Sequence, residues 1–115
     1  MTGIGVDIVE IRRVRSVAHL ERAAEYILTK EEMKEFYNHP DRVEFFTSRF
    51  AAKEAVIKAF PIHLSPLDFS IDKRGVKPVV TFVNPEYRRY RAHISISHSL
   101  DYVASFAVVF DPRGL

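Results

Sequence analysis

The segment from Arg49 to Phe60 constrains the fold more strongly than any other part of this chain. It is rich in alanine and contains no glycine or proline before Pro61, which predicts a helix. On a helical wheel this helix is apolar on two sides, and a helix of that kind is normally buried. The alanine-rich side is a flat surface suited to close packing. The two sides consist of Phe46, Phe50 and Ile57, and of Ala52, Ala55, Val56 and Ala59.

Four charged side chains lie on this otherwise apolar helix: Arg49, Lys53, Glu54 and Lys58. Lysine and glutamate are rarely buried without partners, so these groups need either one another or a ligand. Glu54 and Lys58 are four residues apart and share a face, as do Arg49 and Lys53. Taken alone, the first spacing is explained more simply by an ordinary ion pair on a partly wet helix, and a binding site is the alternative.

The segment from Gly3 to Ile11 has the two-residue period of a β-strand. Aspartate is unfavourable inside a strand, so Asp7 is either an edge carboxylate that faces water or a carboxylate aimed at a metal. The glycines before it leave room for a ligand or for a neighbouring backbone. The two faces of the strand are Ile4, Val6 and Ile8, and Gly5, Asp7 and Val9.

A second polar position lies near the end of the chain, where residues 92–97 alternate between polar and apolar and direct Ile94 and Ile96 inward. His98 follows where this strand gives way to a loop. A lone histidine is usually structural, but one flanked by Ser97 and Ser99 at a strand end is well placed to meet a phosphate.

Asp7, Glu54, Lys58 and His98 therefore form the candidate site. Two carboxylates without cysteine or a close histidine pair favour a hard ion such as Mg²⁺, which fills its other positions with phosphate oxygens and water. The lysine and the histidine would neutralise further phosphate charge, so the set is typical of a pyrophosphate site. The chain has no Walker loop or dinucleotide fingerprint, which argues against nucleoside triphosphate and Rossmann-type binding.

The other segments predict an α+β fold: a compact single domain over residues 1–115, with the long buried helix packed on a small, mostly antiparallel sheet. Thr29 and Glu32 form a capping box that begins a helix to about Asn38, and Asp41 begins the long helix. Val103 to Phe110 is apolar almost throughout, as in a central strand. Helices are expected at about 10–26, 29–38 and 41–60, strands at 3–11, 67–72, 78–83, 92–97 and 103–110, and a brief helical turn at 87–91.

The first predicted helix is basic, with Arg12, Arg13 and Arg15 within about one turn. A charge run of this kind is either a solvated face or a docking surface for an acidic partner. The net charge of the chain is only +2, which argues against a general nucleic-acid binder. The chain has no cysteine, no signal peptide and no apolar run of transmembrane length, so a cytoplasmic location without a membrane partner is expected.

Three motifs resemble those of the holo-acyl-carrier-protein synthases, the short bacterial-type 4′-phosphopantetheinyl transferases. They are Gly3-Ile4-Gly5-Val6-Asp7-Ile8-Val9-Glu10-Ile11, Arg49-Phe50-Ala51-Ala52-Lys53-Glu54-Ala55 and His93-Ile94-Ser95-Ile96-Ser97-His98-Ser99. They follow the order and approximate spacing of the family, and the resemblance extends over nearly the whole chain. It implies transfer of the 4′-phosphopantetheine arm of coenzyme A to a serine of apo-acyl carrier protein, with Mg²⁺ and release of 3′,5′-ADP.

The resemblance also implies roles for single residues. The metal ligands match Asp7 and Glu54, and Glu54, directly or through a metal-bound water, is the expected proton acceptor. Lys58 and His98 match the other catalytic positions. Coenzyme A contacts are expected at Arg49, Lys53, Lys58, Ser97 and His98, and carrier contacts at Arg12, Arg13 and Arg15.

The family is typically trimeric, with sites between subunits, so a homotrimer is expected here, and nine phenylalanines and five tyrosines supply material for an interface. Two positions depart from the family pattern: Pro61 replaces a usual glycine, and the turn Gly75-Val76-Lys77-Pro78 is one residue longer. Two alternatives remain open: a non-catalytic trimeric module that binds coenzyme A or an acidic protein, and a nucleic-acid-binding module that uses the basic helix.

Overall fold

The computed structural model describes residues 2–114, in which a central helix packs against one face of a three-stranded antiparallel sheet. The last strand lies in the middle of that sheet, between the first strand and the fourth, so the predicted central strand is confirmed. The elements are β1 (Thr2–Glu10), α1 (Ile11–Arg15), α2 (Leu20–Ile27), α3 (Lys30–Asn38), α4 (Arg42–Ala59), β2 (Phe69–Arg74), β3 (Lys77–Phe82), β4 (Arg91–His98) and β5 (Tyr102–Phe110). Strands β2 and β3 form a separate hairpin.

Two glycines allow β1 to lie directly against α4. A Cβ atom added to Gly3 would lie 1.7 Å from the carbonyl oxygen of Ala59, and one added to Gly5 would lie 1.8 Å from that of Ala55. Any larger residue would push the strand off the helix. The glycines in the first motif therefore make room for a neighbouring backbone, and they fix the position of β1 on the alanine-rich side of α4.

Helix α4 has a hydrophobic core on each side, and its predicted burial is confirmed. One core lies between α4, the sheet and the β2–β3 hairpin, and includes Ala55, Phe69 and Val109. The other lies between α4 and the first three helices, and includes Phe36 and Phe46. The helix thus carries side chains that reach both sides of the molecule.

The single helix expected at 10–26 is wrong, because the chain forms two helices there. Ser16 ends α1: its amide donates to the carbonyl of Arg12, and its hydroxyl donates to the carbonyl of Arg13. Serine competes with the helical backbone in this way, which favours a helix end. His19, with φ −129° and ψ 67°, precedes α2, which buries Ala24 completely in the second core.

Smaller differences occur in the second half. The strand expected at 67–72 begins at Phe69, because Ser65 caps a 3₁₀ turn over Pro66–Asp68. The helical turn expected at 87–91 lies earlier, at Pro85–Tyr87, where Asn84 caps it. Across residues 2–114, no helix has both the length and the apolar character needed to cross a membrane.

Candidate active site

Asp7 reaches the surface at the point where β1 leaves the glycine contacts with α4. Strand alternation puts Gly3, Gly5 and Asp7 on the same side, towards the helix. Asp7 is the first residue of that side with a functional group, and its carboxylate accepts a hydrogen bond from Lys58 Nζ at 2.9 Å. The same ammonium donates to the carbonyl of Val6 at 3.0 Å. Close strand–helix packing therefore places a carboxylate beside a lysine 51 residues away.

The ordinary ion pair between Glu54 and Lys58 does not form. Lys58 instead pairs with Asp7, and no cation of residues 2–114 lies within salt-bridge distance of Glu54. Glu54 is half-buried and shares with Asp7 a groove of about 690 Å³ between β1, α1, α2 and α4. Of the other residues that line this groove, Arg13, Tyr26 and Phe50 place a cation and two aromatic rings beside the carboxylates.

The donor set of this groove fits a hard divalent cation that brings further ligands. In the described part of the chain, no three His, Cys, Asp or Glu side chains cluster closely enough to hold a metal by themselves. Mg²⁺ commonly takes only one or two protein carboxylates and completes its shell with phosphate oxygens and water. Three carboxylates line the groove, those of Asp7, Glu10 and Glu54, and the predicted pair Asp7 and Glu54 supplies that number; no histidine or cysteine of residues 2–114 lines it.

A second pocket, which is lined mainly by polar side chains, contains Arg49 and His98. It has a volume of about 160 Å³ and is also lined by Glu35, Ser48 and Lys73. Arg49 is 4% exposed; its guanidinium lies 4.5 Å from the centre of the Phe45 ring and 3.5 Å from the Glu35 carboxylate. Burial lowers the pKa of Arg49, although the Glu35 charge opposes that shift. An anion in the pocket would lie beside this buried cation.

The Nε atom of Arg49 is also notable, because it is buried and has no hydrogen-bond partner within the described chain. Buried donors without partners are costly and are often found where a ligand or water completes the contact. Lys73, which lines the same pocket, lies near the end of β2, two residues before the turn at Gly75, and had no recognisable sequence signal.

The carboxylate groove and the Arg49 pocket open on different sides of α4. Arg49 and Glu54 are five residues apart, which at 100° per residue separates their directions by about 140°. Asp7 and Glu54 line one groove, and Arg49 and His98 line the other pocket; none of these four lines both. A single copy of the chain therefore presents the predicted site residues in two separate groups.

Lys53 belongs to neither group, and the expectation that it contacts coenzyme A does not agree with its position. Its side chain is 1% exposed and its ammonium lies 2.5 Å from the Glu32 carboxylate. The ammonium also lies 2.7–2.9 Å from three carbonyl oxygens, those of Ile27, Pro66 and Phe69. Burial lowers the pKa of Lys53, and the negative charge of Glu32 opposes that shift. Its partners are already complete, so Lys53 holds the fold together.

The remaining predicted residues are dispersed over the surface. Arg12 is highly exposed and lies 3.8 Å from Glu10, whereas Arg15 lies 3.5 Å from Asp41. Arg13 is the member of this basic run that lines the carboxylate groove. Ser97 is exposed on the opposite face of the sheet from α4, paired in register with Ala104. The basic run thus separates into three different environments.

Residues 3–107 match the model of the 4′-phosphopantetheinyl transferase superfamily. The chain belongs to this superfamily. A holo-[acyl-carrier-protein] synthase from Clostridium kluyveri is 34% identical over 93% of this chain and 88% of its own length. The crystal structure of the enzyme of the same name from Neisseria meningitidis has a TM-score of 0.81 and 31% identity, and the match covers 94% of this chain and 97% of that one.

A further transferase structure bears on the ligand. The holo-(acyl-carrier-protein) synthase of Bacillus anthracis, solved in complex with CoA (3′,5′-ADP), has a TM-score of 0.77 and 33% identity over 93% of this chain and 94% of its own. The predicted family, the α+β fold and the enzyme class are confirmed by these similarities: the chain is a phosphopantetheinyl transferase of the holo-acyl-carrier-protein synthase type. The roles of individual residues stay predictions.

Proposed function

We propose that this transferase moves the 4′-phosphopantetheine arm of coenzyme A to a serine hydroxyl of an apo-acyl carrier protein, in a Mg²⁺-dependent reaction that releases 3′,5′-ADP. The observation that carries the proposal is the groove in which Asp7 and Glu54 lie beside Arg13, with Lys58 bound to Asp7. The coenzyme A complex of the similar Bacillus anthracis enzyme supports the choice of co-substrate.

The residues of the groove divide the chemistry between them. Asp7 and Glu54 would hold Mg²⁺, which when bound withdraws charge from the pyrophosphate of coenzyme A. Lys58 donates hydrogen bonds to the phosphate oxygens as negative charge develops there. Glu54 accepts the proton of the serine hydroxyl while the serine oxygen bonds to the phosphorus of the pantetheine-side phosphate. The bond from that phosphorus to the bridging oxygen breaks, and the oxygen leaves with 3′,5′-ADP.

The second pocket supplies the rest of the pyrophosphate and nucleotide contacts in this proposal. Arg49 and His98 bind phosphate there, and Lys73 joins them in place of Lys53. Because the two pockets lie on different sides of α4, the pocket of one copy completes the groove of the next. This arrangement requires an oligomer, and a homotrimer is the form that the family resemblance implies.

The outer face of the sheet supports such an oligomer. Ile4, Val6 and Ile8 are 63%, 57% and 64% exposed. Their partners in register on β5 are Val108, Phe106 and Ala104, so the exposed side chains form one continuous apolar surface. Exposed apolar patches of this kind mark protein–protein contacts. The oligomeric state can be measured by multi-angle light scattering. A fully active protein that is monomeric in this measurement would contradict the homotrimer.

The test of the activity is a mass measurement. The chain is incubated with apo-acyl carrier protein, coenzyme A and Mg²⁺, and the carrier is weighed by mass spectrometry. A mass gain of one phosphopantetheine supports the proposal, and an unchanged carrier overturns it. Binding of coenzyme A or carrier without a mass gain would indicate the non-catalytic module instead. The cytoplasmic location expected from the sequence stays a prediction.

A further inference from the structure

Lys58 contacts the proposed metal ligand rather than an open binding surface. Its ammonium lies 2.9 Å from the Asp7 carboxylate and 3.0 Å from the carbonyl of Val6. The Asp7 side chain is only 16% exposed, whereas that of Lys58 is 52% exposed. The carboxylate is thus held in a shielded position by a cation whose own side chain extends into solvent.

This contact opposes a second cation at the same carboxylate. A divalent ion at Asp7 would lie within a few ångströms of the ammonium, where like charges repel strongly even in a partly solvated site. The lysine side chain is flexible and strongly hydrated, so it can leave when another anion attracts it. A pyrophosphate bound beside the groove supplies such an anion, and its oxygens also supply ligands to the metal.

We propose that Lys58 is the exchangeable counter-ion of Asp7, so that the free protein binds divalent cations weakly and coenzyme A makes them bind tightly. In the free protein, Lys58 neutralises Asp7. When coenzyme A is bound, the ammonium moves from the carboxylate to the phosphate oxygens, and Asp7 becomes available to the metal. The proposal rests on the proposed function, because the pyrophosphate that attracts Lys58 belongs to its substrate.

The experiment measures Mn²⁺ binding to the intact protein by electron paramagnetic resonance, without carrier protein. Four proteins are compared: the parent, Lys58→Met, the double variant Lys58→Met with Asp7→Asn, and Lys34→Met. Lys34 is a matched control, because it is an exposed helical lysine that pairs with a carboxylate, Glu31, at 3.7 Å, away from the groove. Circular dichroism and thermal unfolding check that each variant folds.

We expect Lys58→Met alone to bind free Mn²⁺ about tenfold more tightly than the parent, because the competing charge is gone. The gain is lost in the double variant and does not occur in Lys34→Met. Coenzyme A should tighten Mn²⁺ binding in the parent more than in Lys58→Met. Equal affinity of the parent and Lys58→Met for free Mn²⁺, or a gain that survives Asp7→Asn, overturns the proposal.

The outcome is separable from that of the transfer assay. If the parent modifies the carrier but Lys58→Met binds Mn²⁺ no more tightly than the parent, the proposed function stands and the counter-ion exchange is overturned. Tighter Mn²⁺ binding by Lys58→Met, with no modification of the carrier by the parent, supports the counter-ion exchange and overturns the proposed function.

Discussion

Two lysines on the same helix, Lys53 and Lys58, lie in opposite kinds of environment. The ammonium of Lys53 is buried among Glu32 and three carbonyl oxygens, whereas Lys58 lies half-exposed beside Asp7. A buried cation whose hydrogen bonds are all made within the protein cannot bind a ligand. Its removal is destabilising, because the opposite charge is then left buried without a partner. A half-exposed cation in an ion pair with a carboxylate contributes little to folding, and we propose that Lys58 can move to the substrate.

The buried lysine should give the largest change in stability. Lys53→Met leaves Glu32 as an uncompensated buried charge, so the free energy of unfolding should fall by about 3–5 kcal/mol. Urea unfolding followed by circular dichroism measures it. The double variant Lys53→Met with Glu32→Gln should recover part of the loss, since the buried charge is then removed. A change under about 1 kcal/mol in Lys53→Met would mean that the two lysines are equivalent.

Replacing Asp7 or Glu54, the two proposed metal ligands of the groove, should lower activity rather than stability. Asp7→Ala or Glu54→Ala should each remove about 2–3 kcal/mol of transition-state stabilisation, a roughly 30- to 150-fold loss of rate. The rate of carrier modification measures it, with Glu86→Ala, an exposed carboxylate outside the groove, as control. Full activity in EDTA, or in either variant, would contradict the metal role of this pair.

The basic run extends the comparison to the carrier protein. Arg13 lines the carboxylate groove and Arg12 does not, so Arg13→Glu should raise the KM for carrier protein several-fold and leave that for coenzyme A nearly unchanged. Lys34→Glu, which reverses an exposed cation outside the groove and the basic run, is the control. The effect should weaken as salt rises, because screening acts over about 8 Å at physiological ionic strength. An equal rise in the KM for carrier protein and in the KM for coenzyme A would instead indicate that the helix is only a solvated face.

The smallest expected effect completes the lysine comparison. Lys58→Met should change the free energy of unfolding by less than about 1 kcal/mol, since exposed ion pairs contribute little to stability. Urea unfolding under the conditions used for Lys53→Met provides the measurement. A decrease in the free energy of unfolding as large as that of Lys53→Met would show that the Asp7 contact holds β1 to α4. The two lysines would then not differ in their contribution to stability.

Local sequence determined most of the elements of this fold. The run of alanines between Arg49 and Phe60 predicts α4, and the capping box of Thr29 and Glu32 is present at the start of α3. Both depend on groups within about one helical turn, where spacing alone decides which atoms meet. The three motifs also identified the superfamily, because their residues and order are themselves sequence properties.

Tertiary packing decided which charges meet and where. Glu54 and Lys58 are four residues apart, which is the spacing of an ion pair on a helix. Lys58 nevertheless pairs with Asp7, because two glycines bring β1 against α4. Lys53 resembles a surface cation in sequence, but its partners come from segments 13 to 26 residues away and from Glu32 on another helix. Such pairs depend on how whole helices and strands pack together, so they cannot be predicted from local sequence periodicity.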